Sequence, residues 1–289
     1  MDNISHLLMG IDPNAKIIHQ IHIGYINDVY LVRIQETSYV QKVFKICEKE
    51  KIIDSINLQK YLNGQNLSPG IVLEDDSYVH YILQEYFPPV IDKKNWNLYG
   101  ETLGLLHLSL REYAETTFVD FAEHLKKVNI EKHQIDDGQR ELLLCKKQLR
   151  QLVYPPEVEK KQIIHGDYTW NNVLQNGEKY SVIDFDEAKY FFPMYDVGKV
   201  ILNLLFSHED EKWIKINSFL NGYQKNCQLD LSEKKELFNL YGYTLLHDMN
   251  DFSNNKNKDP LYIKKRIQIH KNIILCIKRQ NEILKHIVW

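Results

Sequence analysis

KIIHQIHIGYINDVYLVRI, from Lys16 to Ile34, carries β-branched residues and positions that alternate with a period of two, and SYVQKVFKI resumes the pattern. That period predicts strands, with a break at Gly24 to Asp28 that reads as a turn. From Lys49 to Leu62 the period lengthens. Ile52, Ile53, Ile56, Leu58 and Leu62 recur at roughly helical spacing, and Asn63-Gly64 ends the run. Leu67-Ser68-Pro69-Gly70 breaks the chain, and IVLEDDSYVHYILQEYF reads as two strands about Asp75-Asp76-Ser77. Pro88-Pro89 then forces a change of direction and places a domain boundary near residue 90. From Trp96 onward the pattern turns helical, with Leu103, Leu106 and Leu110 on one face. A second amphipathic helix runs over 136–153 and stops at Pro155-Pro156. Others are expected near 195–206, 209–226, 232–248 and 259–287.

One stretch interrupts the helices, IIHGDYTWNNVLQNGEKYSVIDFDEAKY from Ile163 to Tyr190. Two short apolar runs, Ile163-Ile164 and Tyr180 to Ile183, each end on a polar cluster. Asn176-Gly177 before the second run is a hairpin signal, because both residues tolerate positive φ. Closing that hairpin brings Asn172 and Asp184 together at its open end, with Asp167 in the loop before it. Asn and Asp oxygens suit Mg²⁺, which shares its hard ligands with phosphate. Asp167 is then placed to meet a substrate hydroxyl, and the three together suit phosphoryl transfer. Asp and Asn after a strand are common turn and cap residues, and Asp167 taken alone reads equally well as one. Their register favours the chemistry.

HGDYTWNN resembles the H-G-D-x-x-x-x-N loop of the aminoglycoside phosphotransferase and choline kinase superfamily, related to the H-R-D loop of protein kinases. IDFD is similar to its metal-binding strand end, and MYDVGKVI to the aspartate and helix that follow. The resemblance implies an α+β, bilobal protein-kinase-like fold. A small β-sheet N-lobe with one helix (1–90) would join a larger, mostly helical C-lobe (91–289), with ATP in the cleft. It implies transfer of the γ-phosphate of ATP, or GTP, with Mg²⁺, to a hydroxyl of a small molecule. Acceptors in the family are antibiotics such as aminoglycosides, or metabolites such as choline, homoserine, thiamine and fructosamines.

By the same resemblance Asp167 orients the acceptor and Asn172 and Asp184 hold the metal. Period two puts Val40, Lys42 and Phe44 on one strand face. Lys42 aligns with the family's third-strand basic position and would steady the phosphates, with Lys45 as the competitor. The turn GYINDVY, through Gly24 and Asn27, would lay backbone N–H groups over the phosphates. The linker around Glu85 and Phe87 would offer its backbone to adenine. A helix carboxylate should pair with the lysine, and Glu50, Asp54 and Glu48 are the candidates. His165 would brace the loop. His107, in GETLGLLHLSL, reads as a packed structural histidine. Asp196 would fix the loop or cap a helix, and Asp186 would approach the metal or substrate or cap a turn.

Composition narrows the alternatives. Net charge is −3 over 289 residues, which offers no case for a nucleic-acid partner. The basic residues Lys264, Lys265, Arg266, Lys271, Lys278 and Arg279 read as a solvated helix face. Cys47, Cys145, Cys227 and Cys276 are scattered, which fits reduced thiols and a cytoplasmic location. No apolar run is long enough to span a membrane, and MDNISHLLMGIDPNAK lacks the features of a signal peptide. Phosphate-loop, zinc-protease and nucleophile-elbow motifs are absent, and no A-P-E segment follows Asp184. A small-molecule kinase is therefore favoured over a protein kinase. The rival is a catalytically silent kinase-fold binding or scaffold protein. Asp248 and Asp251 read as a polar loop or as an acidic patch for an amine-bearing acceptor. The basic end of the chain argues against a polycationic aminoglycoside.

Overall fold

Five strands form an antiparallel sheet: β1 (Lys16–Ile21), β2 (Asp28–Ile34), β3 (Thr37–Val43), β4 (Ile71–Asp75) and β5 (Tyr81–Glu85), in the order β1-β2-β3-β5-β4. The computed structural model describes residues 12–21, 27–44, 49–75, 81–90, 95–113, 118, 120–127, 139–157, 160–207, 210–248 and 259–288. Alternation along the strands makes two apolar faces. Tyr30, Val32, Val43 and Leu83 cluster on one. On the other, Phe44 and Ile82 pack on Ile52 of α1 (Lys49–Gly64). Lys42 lies opposite Ile82 and Val29, so its side chain belongs to the α1 face. The buried positions of α1 are Ile52, Ser55, Leu58, Gln59 and Leu62, whereas Ile53 is exposed. Gln59 is buried because its amide donates to Gln84 Oε1 at 2.9 Å.

The chain divides into two compact units, Met1–Lys94 with Thr169–Glu187, and Asn95–Tyr168 with Ala188–Trp289. The first contains the predicted hairpin, β7 (Val173–Asn176) and β8 (Lys179–Val182), closed at Asn176 opposite Lys179, with Gly177 at φ +60°. Two backbone bonds tie it to that unit. Gln175 N–H donates to Pro88 O at 2.8 Å and Val182 N–H to Leu67 O at 2.7 Å.

The second unit is built of helices: α2 (Trp96–Glu112), α3 (Phe121–Lys126), α4 (Arg140–Leu152), α5 (Met194–Leu205), α6 (Lys212–Tyr223), α7 (Leu231–His247), α8 (Pro260–Lys278) and α9 (Gln280–Leu284). A short ladder pairs β6 (Gln162–Ile164) with β9 (Lys189–Phe191). α2 and α6 cross with their backbones in contact. A Cβ on Gly100 would stand 1.8 Å from Phe219 O, and one on Gly222 1.9 Å from Asn97 O. Asp230 caps α7 through a reciprocal bond with Glu233.

The helix expected over 259–287 is in fact two. α8 ends at Lys278, and Arg279 leaves helical geometry while pairing with Glu282. The final turn is then drawn onto α6, where Val288 N–H donates to Asn217 and His286 stacks on Trp213. Cys145, Cys227 and Cys276 are free, buried thiols, and Cys47 lies outside the described residues. Among the described residues no helix is long and apolar enough to cross a membrane.

Candidate active site

In the first unit the sheet, α1 and the hairpin deliver their polar groups to one lysine. The Lys42 ammonium donates to Asp184 Oδ1 and to Asp186 Oδ2, both at 2.8 Å. Burial is the strongest influence on its pKa and works against the charge. Asp186 and Asp184 together outweigh it, and the pKa stands above the ordinary lysine value. Asp184 follows β8 at φ +69°, a left-handed conformation that Asp adopts more readily than most residues. The backbone there is held by Ile183 N–H donating to Asn172 O at 3.0 Å, which also brings Asn172 alongside. Asn172 ends a 3-10 turn (Trp170–Asn172) and is buried.

Asp186 lies in a second 3-10 turn, Phe185–Glu187. Rather than capping that turn, its carboxylate accepts from Asn27 Nδ2 at 2.6 Å, from Ser55 Oγ at 3.1 Å and from Lys42. Here the structure corrects an expectation. Lys42 is paired by Asp184 and Asp186, not by Glu50 or Asp54 of α1. Glu50 is exposed, and Asp54 stands one position, or about 100°, around the helix from the inward-facing Ser55. Glu48, Lys45 and Gly24 lie outside the described residues.

Among the described residues no three His, Cys, Asp or Glu side chains gather as a metal site. The donors at the end of the hairpin are one amide and one carboxylate. These hard oxygens fit Mg²⁺ when phosphate supplies further ligands. At the end of β5, Glu85 N–H donates to Gly70 O at 3.0 Å, and the Glu85 carboxylate accepts from Gly70 N–H at 3.0 Å. Phe87 follows in irregular backbone. The Asn27 side chain goes to Asp186.

In the second unit Asp167 stands in the loop after β6. Gly166 takes φ +79° there, and the loop is pinned from beneath by Asp196. Asp196, fully buried, accepts His165 N–H at 2.9 Å on one oxygen and Gly166 N–H at 3.0 Å on the other. It therefore fixes the loop, while α5 has no side-chain cap. His107 Nε2 lies 3.2 Å from Asp196, and its Nδ1 2.9 Å from Tyr223 Oη. Burial pushes the Asp196 pKa up, but His107 heads the influences that bring it below the ordinary value. His165 braces the loop through Nδ1, which accepts Asp167 N–H at 3.1 Å.

Lys199 was not singled out by any motif in the sequence. One turn after Asp196 on α5, its ammonium contacts Asp167 Oδ1 and donates to Gly166 O at 3.3 Å. Burial works against its charge, yet Tyr241 and Asp167 beside it hold the pKa above the ordinary value. The signal available was its spacing, three residues after Asp196 in MYDVGKVI. Asp248, a candidate for an acidic patch, is paired with Arg266 at 2.8 Å, and Asp251 lies outside the described residues. Trp170 packs edge-on against Tyr180.

Among the solved structures that this chain resembles are kinases of small molecules. A microcompartment-associated aminopropanol kinase superposes with a TM-score of 0.66 at 15% identity, covering 97% of each chain. An amicoumacin kinase in complex with AMP-PNP, Ca²⁺ and Ami gives 0.62 at 17%, covering 91% of this chain and 90% of that one. Aminoglycoside phosphotransferase APH(4)-Ia gives 0.64 at 12%, covering 94% and 98%. At such identities the likeness is one of fold, and the fold is the α+β protein-kinase-like one. No curated protein matches the sequence. A sequence model of the phosphotransferase enzyme family (APH) matches residues 17–226. That match spans more than half of the chain, and the protein belongs to the phosphotransferase enzyme family.

Proposed function

We propose that the protein transfers the γ-phosphate of ATP, or GTP, to a hydroxyl of a small molecule with the help of Mg²⁺. The observation that carries this is the ion pair of Lys42 with Asp184 at the end of the hairpin that also brings up Asn172. In this reading Lys42 steadies the phosphates, and Asn172 and Asp184 hold the metal. The metal, when bound, would neutralise charge on the phosphate oxygens. Asp167 orients the acceptor hydroxyl and takes its proton, while Lys199 and Asp196 keep the carboxylate and its loop in place. Backbone at Glu85 and Phe87 would receive the base.

The family match supports the reaction type, and the neighbours support a small acceptor. The pairing of Asp248 with Arg266 supports an acceptor less cationic than an aminoglycoside. Thermal stabilisation by Mg-ATP and Mg-GTP tests the nucleotide half. Stabilisation that requires the metal, and is lost in Asp184→Asn, is the expected result. A wild-type protein indifferent to both nucleotides would favour the catalytically silent binding or scaffold protein.

A further inference from the structure

We infer that Asp186, and not a carboxylate on α1, is the standing counter-ion of Lys42, and that Ser55 makes this aspartate the link between α1 and the lysine. The inference rests on the reading above, in which Lys42 meets the phosphates. It makes Asp186 a positioning residue.

Three observations carry it. The two carboxylates on Lys42 are not equivalent, since the Asp184 side chain is 44% exposed and that of Asp186 15%. Attraction between charges strengthens as water is excluded, so the shielded partner holds the ammonium more firmly. Asp186 is also anchored by more than the lysine. Asn27, just before β2, and Ser55, on α1, donate to its two oxygens, so Lys42 meets a carboxylate fixed from two other elements. Asp184, in contrast, is the carboxylate proposed to take the metal. Metal binding there would withdraw electron density from its bond to Lys42, while Asp186 would still balance the ammonium.

The third observation is the position of Ser55. It is the inward-facing residue of α1 that contacts Asp186, where a longer acidic side chain would approach Lys42 directly. A hydroxyl there leaves the negative charge to the hairpin side. Movement of α1 is thereby coupled to the lysine through a single carboxylate. Asn27, just before β2, donates to the same group.

The test compares Asp186→Asn with the double variant Asp186→Asn/Ser55→Glu, which returns a carboxylate from the helix. Two readouts are taken. One is the acylation rate of Lys42 by an amine-directed reagent in the nucleotide-free protein, followed by peptide mass spectrometry, with Lys264 as internal reference. The other is KM for Mg-ATP against kcat. Asp186→Asn should raise Lys42 labelling several-fold with Lys264 unchanged. It should raise KM by about tenfold, the scale expected for a lost charge-assisted hydrogen bond, with a smaller effect on kcat. The double variant should recover both.

Unchanged Lys42 labelling in Asp186→Asn, or loss without recovery in a folded double variant, would overturn the inference. Should Asp186→Asn lose its cooperative thermal transition, Ser55→Ala takes its place. A few-fold rise in Lys42 labelling would support the role and no rise would overturn it. Labelling needs no nucleotide, which separates the two readings. Raised labelling in a protein that binds no Mg-ATP would sustain the counter-ion and defeat the proposed reaction. Unchanged labelling in a protein that binds Mg-ATP would do the reverse.

Discussion

Lys199 holds one oxygen of the Asp167 carboxylate from the second turn of α5, and the same ammonium donates to Gly166 O. The carboxylate is thereby held on a loop that Asp196 already fixes through two backbone amides. Replacing Lys199 by Met removes the clamp and leaves the loop. A charge-assisted hydrogen bond is worth about 1.5–3 kcal/mol, so kcat should fall roughly 10- to 100-fold. KM for the nucleotide should change little. Steady-state kinetics of Lys199→Met, with Lys199→Arg as a partial rescue, check this.

Asp196 contributes to stability as well as to order. Its folded pKa lies below the ordinary carboxylate value, so its contribution is present above that value and is lost as pH falls through the depressed one. Asp196→Asn should destabilise by about 1–3 kcal/mol at neutral pH, the usual cost of leaving a buried N–H group without its acceptor. The gap between wild type and variant should narrow in strong acid. Urea denaturation at several pH values between neutral and about pH 2 gives both numbers. Lys42 and Lys199 act in the opposite sense. Their pKa values are raised, so their contribution is complete below the ordinary lysine value and lost only as pH rises through the raised one.

The crossing of α2 and α6 depends on two glycines. A methyl at Gly222 would overlap the Asn97 carbonyl, which is backbone and has no rotamer to yield. Gly222→Ala should cost about 3 kcal/mol or more, at or beyond the upper end of ordinary overpacking. Gly64 is the last residue of α1, and a methyl added there would meet nothing within 4 Å. Gly64→Ala should be neutral or stabilise by up to about 1 kcal/mol. Thermal melts of the two variants should therefore move apart.

Gln41 is the least expected core residue of the sheet. It is fully buried on the face with Tyr30 and Leu83, and among the described residues neither atom of its amide has a hydrogen-bond partner. An unpaired buried amide costs about 1–3 kcal/mol. Gln41→Leu, close in size, should raise stability by about 1 kcal/mol or more in denaturant titration, without altering nucleotide binding. A loss of stability would mean that the amide has a role in the folded chain.

Much of the site was legible because it is local. The Asn176-Gly177 turn fixes the hairpin register, and that register alone sets Asn172 beside Ile183-Asp184. The face on which Lys42 lies follows from strand alternation, and its choice over Lys45 from the resemblance to the family's third strand. What escaped the sequence is tertiary. Ser55 and Asp186 are 131 residues apart, and nothing local to either announces the bond. Lys199 reads as one more polar position on an apolar helix until the loop above it is seen. The break at Arg279 was missed because the helical pattern continues across it, while the bend is set by contacts with α6.

Acceptor-dependent phosphoryl transfer is tested by ADP release with Mg-ATP or Mg-GTP across a panel of amino alcohols and hydroxyl-bearing antibiotics. Turnover on at least one compound is expected, with a fall of about 10²- to 10⁴-fold in Asp167→Asn, the range of general-base contributions. Turnover equal in wild type and Asp167→Asn, or no turnover in a protein that Mg-ATP also fails to stabilise, would contradict it.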